Sequence, residues 1–370
     1  VTDAAASAAV KSTRVPLWDN ARWACVTLVV IGHAIQRMTY DSDNAYAVYI
    51  LVYAFHMPAF AIISGYFSKA GAPSTKQMRK VLTDILLPYL VMEIIWTLVQ
   101  FVFEGKRDFN PTEPSWTLWF LLALGIFRLV LPYLVLLRAP LVWAVVASVA
   151  VGYFANVDST FSLSRAIGIL PFFLLGWKLR QWKLIDRWRF VDQQTWWIRL
   201  AAVAVFAASA LCAWAFVAPL HEFGLAQWFY YDYSYGELAA PEWWAGLLRL
   251  GLMALAVVLT AAFFVLIPRH ESWITPFGQS TMYVYLLHSF ILYPIRESGI
   301  LRGDNSAWYW LLTAIVVSVL ISILLSTRFV RRIFHPLIEP KPRWLFVPTD
   351  DDEDPSPSPS RTDPPGSRRN

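Results

Sequence analysis

Apolar residues run through this chain in long blocks, and the charged residues collect in the short polar stretches between them. A helix needs roughly 20 apolar residues to cross the hydrocarbon of a bilayer, and a single continuous strand cannot satisfy its backbone there. The blocks therefore predict transmembrane helices over about residues 18–38, 46–67, 81–103, 116–137, 141–156, 164–180, 197–220, 243–267, 279–296 and 307–327. The expected fold class is an all-α integral membrane protein with about ten transmembrane helices.

Within the spans the polar positions are few and placed. The first block, "WDNARWACVTLVVIGHA" (18–34), carries Asp19 and Arg22 at one end and His33 near the other. At roughly 100° and 1.5 Å per residue, eleven steps bring His33 back to within about 20° of Arg22, some 16 Å further along the axis. A guanidinium and an imidazole thus share one face of a helix that otherwise reads as lipid-soluble. Asp19, three residues before Arg22, can hold that guanidinium instead of leaving it to snorkel to the headgroups.

Two further histidines lie within apolar blocks, His56 in "YAFHMPAF" and His288 in "VYLLHSF". Ionisable groups inside spans are costly and face a protein interior or a water-filled cavity; each could instead bridge helices by hydrogen bonds. Pro58 cannot donate to the carbonyl of Ala54, so the second span should bend beside His56. Ser64 and Gly65 follow where a ligand or a neighbouring backbone can approach, close helix packing being the expected role of Gly65. Glu93 and Arg128 are buried-charge positions with no assigned role.

Composition agrees with the pattern: of 370 residues, 57% are hydrophobic and 15% charged, against about a quarter charged in soluble domains. Two cysteines, Cys25 and Cys212, lie in apolar segments and read as buried small residues, with no disulfide framework. The net charge of +5 would hint at nucleic acid in a soluble protein, but in a membrane protein its distribution decides more, and no nucleic-acid partner is expected. With the N-terminus in the cytoplasm, nineteen Lys and Arg fall in inner segments and six in outer ones, so both termini are expected to be cytoplasmic. Lys76 and Arg79 in the first inner loop serve that topology or, alternatively, bind the phosphates of a cytosolic donor.

The first residues lack the basic flank of a secretory signal. The segment "HEFGLAQWFYYDYSYGELAAPEWW" (221–244) holds no Lys or Arg and reads as an interfacial aromatic belt or a carbohydrate contact. From about residue 349, "DDDEDPSPSPS" has nothing to bury and should be a disordered end to the cytoplasmic tail 336–370. The chain has no HExxH, CxxC pair, Walker loop or GxSxG, so a metal is not expected and chemistry would fall to membrane-embedded His, Arg and carboxylate groups.

"DNARWACVTLVVIGH" resembles the opening of the membrane acyltransferase-3 family, whose members include fucose 4-O-acetylase-like and O-antigen acetylase-like proteins. "FHMPAFAIISGYFS", "WTLWFLLAL", "LPFFLLGWKLR" and "FGQSTMYVYLLHSF" fit it in the family's order and extend the resemblance over residues 15–335, after a short N-terminal segment 1–14. The resemblance implies an O-acyltransferase of the cell membrane. It would take an acyl group, usually acetyl, from cytosolic acyl-CoA (acetyl-CoA) as donor and pass it to a hydroxyl of a cell-envelope glycan or glycolipid.

Carried over, His33 matches the family's essential histidine and Arg22 its basic partner. Asp19 would orient Arg22, and Lys76-Gln-Met-Arg79 stands where the family has an Arg-x-x-Arg donor site. His33 would act as general base, or carry the acyl group itself, with His56, His288 and Ser64 in supporting places. The reading expects a tunnel from the basic surface to His33. A transporter or flippase of a polar lipid or glycan, and a non-catalytic membrane interaction protein, are the alternatives.

Overall fold

The first expected span forms one unbroken helix, α1 (Pro16–Ile35). Pro16 stands in its first turn, where a missing N–H costs nothing. The computed structural model describes residues 14–71, 74–105, 109–189, 195–300, 308–340 and 342–346, and among them there is no strand. The expected N-terminal segment, except Arg14, and the tail beyond residue 346 lie outside the described residues.

The second expected span is two helices, α2 (Asp43–Tyr53) and α3 (His56–Phe67). The break falls where Pro58 placed it. Phe55 leaves helical geometry (φ −140°, ψ −19°), and its N–H reaches the carbonyl of Val52 at 3.3 Å, one residue short of helical spacing. Next come α4 (Thr75–Val81), begun by a reciprocal Ser74–Gln77 capping box, and α5 (Leu87–Glu104). Between them Leu82–Leu86 forms a π-helical turn just before Pro88, whose ring removes a helical donor.

The remaining helices are α6 (Trp119–Leu134), α7 (Pro140–Val151), α8 (Leu163–Gln181), α9 (Leu184–Arg189), α10 (Thr195–Ala215), α11 (Val217–Glu222) and α12 (Leu225–Trp228). They end with α13 (Trp244–Leu266), α14 (Thr281–Glu297), α15 (Trp308–Leu325) and α16 (Arg328–Ile338). Among the described residues six helical segments are long and apolar enough to cross a membrane: Asp43–Phe67, Thr75–Glu104, Thr160–Gln181, Trp196–Ala215, Trp244–Leu266 and Trp308–Leu325. The other four expected spans are helical but more polar, as α1 is, or shorter, as α6, α7 and α14 are. The protein is an all-helical membrane protein. Its outer surface agrees, since Leu98, Leu211, Trp214 and Leu320 are exposed on such helices, where lipid is their compatible solvent.

α1 packs against α3, α14 and α15. Trp23 donates its indole N–H to Ser326 Oγ at 3.2 Å, and the amide of fully buried Asn20 donates to the carbonyls of Pro268 and His270 at 2.9 and 3.2 Å. Asn20 Oδ1 in turn accepts from Thr275 Oγ1 at 2.8 Å. Helices α3 and α8 pack backbone against backbone. A Cβ on Gly65 would collide with the carbonyl of Phe173, and one on Gly176 with that of Ile62, so glycine lets the two backbones meet.

Candidate active site

Asp19 and Arg22 occupy the first turns of α1, with Arg22 Nη1 3.3 Å from Asp19 Oδ1. The Arg22 guanidinium also lies 4.4 Å from the centroid of the Phe67 ring at the end of α3. Two fixed neighbours, one anionic and one aromatic, hold it in place. Arg22 opens onto a cavity of about 770 Å³ between α3, the π turn, α6 and α14. Its charged lining includes Lys69, Lys80, Asp84 and Arg128 beside Arg22, and the π turn contributes both Asp84 and Ile85.

Ser64 is also in the wall. Lys76 and Arg79 are not: Lys76 is exposed on α4, and Arg79 directs its guanidinium to the Phe346 ring, 5.3 Å away. The basic lining is therefore drawn from the same loop but from Lys69 and Lys80, together with Arg128.

Towards the interior the walls turn apolar, through Ile63, Leu121 and Leu124, and include the buried residues Phe120 and Tyr285. Tyr285 donates its hydroxyl to the carbonyl of Thr117. Its ring lies 6.3 Å from that of His288, and the His288 ring 5.5 Å from that of His33. The cavity walls do not include His33. The tunnel expected from sequence is thus an inner cavity and a histidine cluster with Tyr285 between them.

The three histidines differ in what holds them. The Nδ1 atoms of His56 and His288 lie 2.8 and 3.0 Å from the carbonyls of Val52 and Val284, each four residues earlier, across the α2–α3 break for His56 and within α14 for His288. A carbonyl only accepts, so both rings donate through Nδ1 and keep Nε2 as the acceptor. His288 Nε2 is buried with no partner. His33 is half-buried, and its buried Nδ1 also has none. An imidazole without a structural bond is free to bond a reactant.

Around His33 stand residues to which the sequence reading gave no site role. The Trp116 ring is 5.7 Å from the His33 ring, and Arg296 lies 5.2 Å over Trp116. Trp116 has φ 44°, a left-handed backbone that a tryptophan adopts only when its surroundings impose it. Buried Glu93 on α5 imposes it from one side, accepting from the N–H and hydroxyl of Ser115 at 3.0 and 2.5 Å. The Tyr285 hydroxyl on the Thr117 carbonyl holds the other side. Arg165, paired to Asp232 at 2.6 Å, and Arg296 both lie within electrostatic reach of His33.

Asp232 belongs to the aromatic segment 221–244, which turns inward as well as outward. Trp228, Tyr231 and Tyr235 are buried, whereas Tyr233, Trp243 and Trp244 are exposed. Tyr230 joins the inward set, its hydroxyl 2.6 Å from that of Tyr49, and its ring 5.5 Å from Tyr53, which stands against His56. Fully buried Arg249 on α13 donates to the carbonyls of Ser148 and Tyr233 at 3.1 and 3.4 Å and fastens the segment to α7.

An acyltransferase domain matches residues 16–327, which takes in every residue named in this site except Phe346. The chain belongs to the acyltransferase-3 family. The matched region is an acyltransferase domain in a membrane protein whose described residues are all helix and loop. It is similar to nodulation protein NolL of Mesorhizobium japonicum, with 28% identity over 215 residues. That match takes in 53% of this chain and 56% of NolL, so the chain spans about half the length of this curated relative. No solved structure matches. Among the described residues no cluster of His, Cys, Asp and Glu is arranged to hold a metal ion.

Proposed function

We propose that this acyltransferase takes acetyl from acetyl-CoA, or a related acyl group from its acyl-CoA, and passes it to a hydroxyl of a cell-envelope glycan or glycolipid. The observation that carries this reading is the pairing of a basic-mouthed, apolar-floored cavity with an unengaged imidazole one tyrosine beyond it. The charged nucleotide end of the donor suits Arg22, Lys69, Lys80 and Arg128. Lys76 and Arg79 extend the same basic surface. The pantetheine arm suits the apolar walls and leads towards Tyr285.

In the reaction, His33 takes the proton of the acceptor hydroxyl as its oxygen attacks the thioester carbonyl. The new C–O bond forms, the C–S bond breaks, and the coenzyme A thiolate leaves with its electron pair and takes up a proton. His288 faces His33 and steadies its ring. Asp19 orients Arg22, Ser64 lines the cavity wall, and His56 holds the bend between α2 and α3. Tyr285 must swing aside for donor and base to meet, its bond to Thr117 being the contact that opens. A two-step variant, with the acyl group resting on His33, uses the same residues.

The cytoplasm is the donor side in this reading, as the Lys and Arg distribution implies, and the aromatic segment 221–244 receives the sugar at the far face. The test is His33→Ala in the full chain, reconstituted in vesicles with labelled acetyl-CoA and total envelope glycolipid. Label should cease to enter the acceptor while the protein stays inserted. Undiminished labelling removes His33 from the chemistry. Movement of unmodified glycolipid without consumption of acetyl-CoA assigns the cavity to a flippase instead.

A further inference from the structure

Helix α16 divides its circumference into three unlike sectors, and its surroundings account for only one of them. At roughly 100° per residue, Val330, Phe334 and Ile338 form one sector, Arg328, Arg331, Arg332 and His335 a second, and Phe329, Ile333 and Leu337 a third. The first is turned into the protein, with Val330 and Ile338 buried against the helices that α16 packs on, α14, α15 and α5. The third is apolar yet exposed, Phe329 at 72% and Ile333 at 51%. It begins only three residues after α15, a helix apolar enough to cross the membrane.

The basic sector encloses a surface concavity of about 380 Å³ lined by Arg328, Arg331, Arg332, His335 and Pro336. Arg331 lies 5.8 Å over the Tyr283 ring, and His335 Nε2 is 3.7 Å from Glu339. Among the described residues no carboxylate pairs with Arg328 or Arg332. With its inward sector on the protein wall, α16 can meet both remaining sectors only at the border of hydrocarbon and headgroups. A helix with a strong apolar face and a cationic face lies in that plane.

We infer that α16 is an interfacial helix whose arginine concavity binds the phosphate of an anionic phospholipid while Phe329, Ile333 and Leu337 sit among the acyl chains. The contact is to a lipid surface of negative charge, the partner that three arginines beside an apolar stripe match. The inference is independent of the acyl transfer and of the part played by His33.

The experiment uses the full chain in nanodiscs of phosphatidylcholine alone or mixed with phosphatidylglycerol. Cys212→Ser removes the exposed thiol, Cys25 being buried, and a fluorophore is attached at Ile333→Cys or, as the water-side control, His335→Cys. Brominated acyl chains should quench the label at 333 and spare that at 335. Separately, native mass spectrometry should show phosphatidylglycerol retained by the parent chain and its retention falling by about fivefold for each of Arg328→Gln, Arg331→Gln and Arg332→Gln. Equal quenching at both positions, or none at 333, overturns the interfacial placement. Retention unaltered by the three substitutions, or displacement of phosphatidylglycerol by acetyl-CoA, overturns the lipid site, the latter assigning the concavity to donor phosphate.

Discussion

His33 and His288 face each other at 5.5 Å between ring centroids, but only His288 is fastened, its Nδ1 bound to the carbonyl of Val284. The first and fourteenth helices meet here with one imidazole locked by its own backbone and one left without a partner at Nδ1. The same contrast separates a group that shapes the site from one able to react.

Replacing these histidines should therefore separate stability from activity. His33→Ala should leave the thermal midpoint in detergent close to that of the parent chain and reduce acyl transfer by about 10²–10⁴-fold, the usual worth of a general base. His288→Ala and His56→Ala should each cost roughly 1 kcal/mol or more through the lost backbone bond and the space left behind. Melting curves measured beside transfer assays check both halves.

The Glu93 carboxylate keeps Trp116 in a backbone conformation it would not choose. Glu93→Ala leaves the Ser115 N–H and hydroxyl without their acceptor, at a cost of about 1–3 kcal/mol. Glu93→Gln keeps one carbonyl oxygen and should restore much of that loss. Because Trp116 stands against His33, both variants should lower kcat more than they raise KM for the acyl-CoA. Kinetics at saturating acceptor, with tryptophan emission as the conformational readout, decide it.

The basic lining of the cavity predicts the reverse kinetic pattern. Lys80→Gln and Arg128→Gln should raise KM for acyl-CoA several-fold with little change in kcat, as expected for removal of binding that is equal in ground and transition states. Their affinity should also depend less on salt than that of the parent chain. Lys76→Gln, an exposed position outside the walls, should have the smaller effect.

Close packing of α3 on α8 is equally open to measurement. Gly65→Ala and Gly176→Ala each place a methyl group in a facing backbone carbonyl and should cost several kcal/mol, near the upper range for overpacking, about 3. Gly251→Ala, where a Cβ meets nothing within 4 Å, is the matched control and should fold as the parent does. Yield of monodisperse protein and thermal midpoint give the comparison.

The apolar periodicity of the chain was enough to mark it as a membrane helix protein, and Pro58 enough to place the break beside His56, because both depend on local backbone chemistry alone. Arg22 and His33 were legible for the same reason: one continuous helix settles their relation without reference to any other part of the molecule. Glu93 and Arg128 stood out as charges in apolar runs, but what they face could not be read from the run. The arrest of the cavity at Tyr285, the strained Trp116 beside His33, the choice of Lys80 over Lys76 in the wall, and the inward turn of Tyr231 and Tyr235 were decided only by tertiary structure. Each depends on residues far apart in the chain meeting across helices, where packing and hydrogen-bond geometry select among positions that the sequence pattern treats alike.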